Sequence, residues 1–438
     1  MRARNVSDYG IMFILAVAVG VAAGVCAAML KSSIAAVTSW LTSGLRLAGA
    51  NWQLLVIPAA GIVLTGILLR YVLRVDVTHG TEKILRQLKA HDYFIRAKVI
   101  VAPMLGAIVT LGMGGSAGAE GPIAYTGAAI GSNSARLFGL NRNLERVLLG
   151  CGAAAGIAGI FKSPLGGFLF ALEVLRIKTT TWSTVALLTA SLTAAATSYV
   201  LSGFTFDLGA GGVHLYRPEL FGWYCLLGVT CGLYSYYYSH VMSLMSRRYG
   251  KIRNPWLRNL AGGAVLAACL FIFPVLYGEG YEVMGRVMDN DSYSIGNGSM
   301  FEGLSHTWQL ALVATGVWLA KPWACSASNS AGGVAGDFAP TLFAGCFVGL
   351  TFSLVLDNLG VPLPEADFAY LGMGAVMAGA IRAPLMALFI SLEMAACFAM
   401  FWPMLIVTSL SFFVVRLCTP HAFYSLKSQP KDFPDGSA

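Results

Sequence analysis

One design is written twice along this chain. Gly114 to Gly131 (GGSAGAEGPIAYTGAAIG) recurs as Gly332 to Gly349 (GGVAGDFAPTLFAGCFVG), and a shift of 218 residues lays Gly114, Gly115, Gly118, Pro122, Gly127 and Gly131 onto Gly332, Gly333, Gly336, Pro340, Gly345 and Gly349. Downstream, Ala158 to Glu173 matches Ala378 to Glu393 at a shift of 220, with Gly159, Pro164, Leu165, Leu172 and Glu173 on Gly379, Pro384, Leu385, Leu392 and Glu393. The duplication predicts two halves of one architecture, about 54–205 and about 259–418.

The sequence around the repeats is apolar. Hydrophobic residues make up 57% and charged residues 11%, against about 25% charged in a soluble domain, and mean hydropathy is +0.69. This composition belongs to a polytopic membrane protein, and its apolar stretches read as membrane helices of an all-α chain. Apolar stretches run from Ile11 to Leu30, Leu54 to Leu73, Val185 to Leu201, Leu220 to Met242, Leu260 to Tyr277, Leu310 to Ala320 and Phe401 to Val415. Only some reach the roughly 20 residues that a crossing helix needs, so several helices should be short, tilted or broken.

The first stretch follows Arg2 and Arg4, exceeds a signal-peptide core and lacks a cleavage pattern, so it reads as a retained segment. Residues 31–50 read as interfacial or loosely spanning. Nine cysteines without C-x-x-C spacing indicate neither a disulfide framework nor a zinc site, and no cofactor or metal is expected. The net charge of +8 reports orientation in a membrane chain rather than nucleic-acid binding. Arg247, Arg248, Lys251, Arg253 and Arg258 place one loop in the cytoplasm, with the basic helix Lys83 to Lys98; Glu279, Glu282, Asp289, Asp291 and Glu302 place another outside.

Pro122, Pro164, Pro340 and Pro384 each follow a Gly, Ser or Ala within apolar sequence, and proline suits the first turn of a helix. Four helices are thus expected to begin inside the membrane, each presenting unpaired N–H groups that favour an anion. Such ends are tolerable in hydrocarbon only when buried in protein or lining a wet cavity, which predicts an anion site near mid-membrane. Close helix packing through small residues is the alternative use of these glycines. The GMGGSAG run lacks the strand–helix–strand context of a dinucleotide fingerprint.

These residues resemble the CLC family of chloride channels and proton-coupled chloride transporters. Its second signature, Gly-Arg-Glu-Gly-Pro, stands here as Gly118-Ala119-Glu120-Gly121-Pro122, and its third, Gly-x-Phe-x-Pro, as Gly336-Asp337-Phe338-Ala339-Pro340. Arg-Ala-Pro-Leu at 382–385 and Leu-Glu-Met at 392–394 extend the likeness over the whole chain. The resemblance implies a fold of two inverted halves of tilted and broken helices. It further implies a homodimer in the lipid bilayer, with one pathway per subunit for chloride or another small anion and, in exchangers, protons. Fewer than 25 residues follow the last apolar segment, so the expectation is a single CLC domain over 1–438 with 419–438 a short cytoplasmic tail. Both termini are expected in the cytoplasm of a bacterial-type plasma membrane.

By the same resemblance Glu120 is the gating and proton-carrying carboxylate, with Gly118, Ala119 and Gly121 around it and the backbone at Asp337 and Phe338 holding the central anion. The departures are specific. His79 of Thr78-His79-Gly80-Thr81-Glu82 stands where the family's anion-coordinating Ser lies, and a histidine ring N–H can still donate to an anion; a surface connector histidine is the alternative. Ala119 replaces the family's Arg, and Lys162 is expected to restore the lost positive field. Val174 occupies the second proton-relay position and cannot titrate. Phe398, counted back from Pro403, replaces the central Tyr and removes a hydroxyl donor. Asp337 reads as a helix N-cap or an alternative proton carrier. Chloride is the family's usual ion and fluoride the alternative, while conduction and proton exchange both stay open. An intramembrane enzyme using Glu120 and His79 is disfavoured, because no H-E-x-x-H, G-x-S-x-G or paired-Asp motif is present.

Overall fold

The computed structural model describes residues 2–43, 52–178, 180–204, 208, 216–296, 301 and 306–419, with side chains from residue 10 onward. They form sixteen α-helices and no strand. In the first half these are α1 (Arg2–Thr42), α2 (Gln53–Ile67), α3 (Gly80–Ala90), α4 (Ala102–Gly112), α5 (Glu120–Leu137), α6 (Arg142–Phe161), α7 (Pro164–Leu169) and α8 (Thr181–Leu201). The second half holds α9 (Phe221–Gly250), α10 (Pro255–Ile272), α11 (Tyr281–Met288), α12 (Thr307–Ser330), α13 (Phe338–Asn358), α14 (Glu365–Ile381), α15 (Pro384–Met394) and α16 (Phe401–Cys418). Eight helical stretches are long and apolar enough to cross a membrane, and the chain is a multi-pass membrane protein.

The expected short and broken helices are present. α7 and α15 start at Pro164 and Pro384, while α5 and α13 start two residues before Pro122 and Pro340, which sit in the first turn. One expectation is corrected: residues 31–42 are no loose interfacial segment but the continuation of α1, a single 41-residue helix. No Gly or Pro interrupts Lys31 to Thr42, and Ala, Val and Trp there sustain the helix. Residues 44–50, Glu302 and the tail from 420 lie outside the described residues.

Three sets of reciprocal contacts relate the halves. Gly118 and Gly336, counterparts under the 218-residue shift, exchange both backbone hydrogen bonds, Gly118 N–H to Gly336 O at 3.0 Å and Gly336 N–H to Gly118 O at 2.5 Å. A residue that pairs with its own counterpart lies on the approximate two-fold axis. Ser116 N–H donates to Ser328 Oγ, and Val334 N–H donates to Thr110 Oγ1, each at 3.0 Å; these pairs also exchange under the shift. Further out, Glu393 at the end of α15 accepts from Ser163 Oγ and from the Leu165 and Gly166 N–H groups that open α7. Glu173, after α7, accepts from the Leu385 and Met386 N–H groups that open α15.

Packing within each half repeats as well. A Cβ on Gly127 would strike the Gly152 carbonyl between α5 and α6, and one on Gly345 would strike the Gly372 carbonyl between α13 and α14. Small residues thus bring these backbones into contact, as in membrane bundles generally. Close backbone packing is therefore one use of these glycines, at Gly127, Gly152, Gly345 and Gly372. α14 is buried at every residue from Ala366 to Ile381, the pattern of a helix at the centre of a bundle.

Candidate functional site

The centre of the molecule is the meeting of the α5 and α13 N-termini across the Gly118–Gly336 bridge. A Cβ on Gly336 would lie 2.5 Å from the Gly121 N atom and 2.9 Å from Glu120 Oε2, and one on Gly118 would lie 2.6 Å from Glu120 Cδ. Only glycine leaves room for a carboxylate there. The Glu120 side chain is fully buried, and its Oε1 accepts from the Ala339 N–H in the first turn of α13 at 3.1 Å and from the Tyr281 hydroxyl at 3.3 Å. Its Oε2 is buried with no hydrogen-bond partner. The carboxylate of one half therefore occupies the helix N-terminus of the other, the position that the backbone offers to an anion.

The N-terminus of α5 is filled in the same way. Ala119 N–H donates to Glu279 Oε1 at 2.9 Å, from the loop between Tyr277 and Tyr281. Lys321 of α12 is fully buried, donates to Ser116 Oγ at 2.9 Å and lies 4.3 Å over the Phe343 ring. Its ammonium interacts electrostatically with both Glu120 and Glu279. A charge at this depth costs several kcal/mol unless compensated, and here the compensation is mutual.

The expected site residues divide. Gly118, Ala119, Glu120, Gly121, Asp337 and Phe338 converge at the bridge. His79 joins them from α3: Gly80 packs so closely that its Cβ would lie 2.6 Å from the Gly121 carbonyl, and His79 is within electrostatic reach of Asp337. His79 adopts φ 54°, ψ 51°, a left-handed conformation that histidine tolerates better than most residues. Asp337 stands at the N-cap position of α13 but does not cap it; its Oδ1 accepts from Asn329 Nδ2 and, at 3.5 Å, from Cys325 Sγ. Phe338 is buried edge-on against Phe170, 5.8 Å between centroids.

Lys162 closes α6 with φ 53° and carries its ammonium 5.6 Å over the Tyr199 ring, and Lys321 interacts electrostatically with Glu120. Phe398 is 53% exposed in the turn Phe398–Met400, which packs on the adjoining α15 and α16. Val174 ends the π-helical turn Phe170–Val174 without a titratable group, and Glu173 before it is committed to α15. Lys321, Tyr281 and Asn329 were not anticipated, and Glu279, read above only as an outside-loop charge, reaches the Ala119 N–H. A lone lysine directly after the apolar run Leu310 to Ala320 was a legible signal by the rule that intramembrane charge is functional.

The fold and this centre now meet the known proteins. Residues 61–416 match the model of the voltage gated chloride channel family. The chain belongs to that family. It is 28% identical to a ClcB-like chloride channel protein of Ralstonia nicotianae over 81% of this chain and 80% of that one. It is 29% identical to the H(+)/Cl(-) exchange transporter ClcA of Vibrio cholerae over 72% of this chain and 65% of that one. The crystal structure of a slow cyanobacterial Cl-/H+ antiporter superposes with a TM-score of 0.80 at 21% identity, covering 95% of this chain and 96% of its own. That of a CLC-type fluoride/proton antiporter gives 0.75 at 24%, covering 94% and 96%. Both place this voltage gated chloride channel family member in the CLC fold.

Proposed function

We propose that this protein carries chloride across the membrane through one pathway per subunit, gated by Glu120. The observation that carries the reading is the Glu120 carboxylate on the Ala339 N–H: a negative group of the chain holds the seat at a broken-helix N-terminus, and must leave it for a free anion to bind there. The family, its chloride channel and chloride/proton exchanger relatives and the charge chemistry of the centre all support it. In this reading His79, Asp337 and Phe338 line the continuation of the pathway, and Lys321 adds a positive field at Glu120 beside the one expected of Lys162.

Protons are the second cargo in this reading. A carboxylate that withdraws from an anion seat does so most readily when neutralised, and Glu120 has one buried oxygen without a partner. The protein works as a homodimer, as the family resemblance implies. It lies in the plasma membrane with the Arg247–Arg258 loop inside, in keeping with the bias of basic loops, and with both termini on that side.

The test is flux from chloride-loaded proteoliposomes, recording external anion and pH together, with fluoride as the comparison ion. Glu120→Gln should abolish coupled proton movement while anion flux persists. Absence of chloride and fluoride flux from the native protein would refute the transport reading.

A further inference from the structure

We infer that Glu279 is a second gate carboxylate, seated on the anion position at the N-terminus of α5 in series with Glu120 on α13. The inference rests on the transport reading and deepens it. Ala119 N–H donates to Glu279 Oε1 at 2.9 Å, although Glu279 arrives from a loop 160 residues away. The N–H that the second signature presents to an anion is thus held by a carboxylate of the protein itself.

The loop is built for a side chain that moves. Its sequence is Tyr277-Gly278-Glu279-Gly280-Tyr281, and both glycines are left-handed, φ 68° and 87°. A Cβ on Gly278 would meet nothing within 4 Å, whereas Gly280 packs against the Phe343 ring. One side of the loop is therefore anchored and the other open, with Glu279 between them. Glu279 itself is half-buried, in contrast to the fully enclosed Glu120.

The two seats are coupled through this loop. Tyr281 donates to Glu120 at 3.3 Å, two residues from the carboxylate that holds Ala119. Glu120 and Glu279 repel each other, and the ammonium of Lys321 interacts with both. With both carboxylates ionised, one cation faces two anions, and an arriving chloride adds a third. Chloride therefore enters the α5 seat as Glu279 swings off Ala119, and the α13 seat as Glu120 withdraws.

Isothermal titration of chloride into the purified full-length protein tests the idea, with flux measured on the same preparations. Glu279→Gln removes the charged competitor with little change of shape, and should raise apparent chloride affinity at least about tenfold, the weight of one charge-assisted hydrogen bond. Glu279→Asp keeps the charge and should stay near the native value. Misfolding cannot produce a gain of affinity. If native protein and Glu279→Gln both transport chloride, and their affinities agree within about twofold, the inference is wrong and the transport reading stands. If the native protein moves neither chloride nor fluoride, both fall together.

Discussion

Gly118→Ala should open the gate without touching the gating residue. A Cβ at position 118 would stand 2.6 Å from both Cδ and Oε1 of Glu120, well inside ordinary contact. The obstacle is the end of a flexible side chain, so the carboxylate moves and the backbone stays. In leaving, Glu120 gives up the Ala339 N–H at 3.1 Å and the Tyr281 hydroxyl at 3.3 Å. Hydrogen bonds to a charged group are worth about 1.5–3 kcal/mol each. The two bonds together, about 3–6 kcal/mol, favour the seated carboxylate by a factor of roughly 10² to 10⁴ in the native protein, and the Cβ contact has to outweigh them. Chloride efflux from proteoliposomes should then lose its dependence on pH, as it would in Glu120→Ala, and the double variant should behave like either single one. Gly336→Ala is the contrast, because its Cβ meets the Gly121 backbone nitrogen at 2.5 Å and should lower folded yield. Native pH sensitivity in Gly118→Ala, or additive effects in the double variant, would refute the argument.

The crossed carboxylate caps should carry stability. Glu393→Gln weakens the hold on Ser163, Leu165 and Gly166 and is expected to cost about 2–4 kcal/mol; Glu173→Gln, with two N–H partners, should cost less. Thermal unfolding in detergent checks the order, and native melting in both variants would contradict it. Asp76 is pushed up by burial, but the Lys83 ammonium at 2.8 Å and the Thr78 donors outweigh this and hold its carboxyl below the usual range. Its contribution, less than about 1 kcal/mol for a pair this exposed, is present above the ordinary Asp value of about 3.9. It is lost as pH falls through the depressed value. Asp76→Asn should therefore lower the melting temperature slightly at neutral pH and leave it unchanged in strong acid.

Much of the fold was legible because the in-register glycines and prolines report backbone geometry directly. Pro122, Pro164, Pro340 and Pro384 lie in the first turns of four short-circuited helices, as their lack of an N–H allows. The buried helices α6 and α14 were harder to see, since they are rich in Gly and Ala; burial of small residues against neighbouring backbones replaces greasy bulk there. Within the site, Glu120 and its glycines stood out because they lie in one motif. Lys321 and Glu279 lie about 200 and 160 residues from it, and only the folded chain brings them beside it. Asp337 turned away from its expected capping role because Asn329 and Cys325 of α12 offer donors within the same buried pocket.

The Gly118–Gly336 bridge also limits where the halves can differ. A change at the axis is felt by both halves at once, since each glycine is the other's partner. Positions off the axis come in pairs, and either member can change alone. Glu120 is matched by Phe338, Ala119 by Asp337, Lys162 by Arg382 and Val174 by Met394. The frame is therefore symmetric while the chemistry is not. A duplicated scaffold acquires direction, with one end of the path unlike the other, through single substitutions that leave its hinge of two glycines untouched.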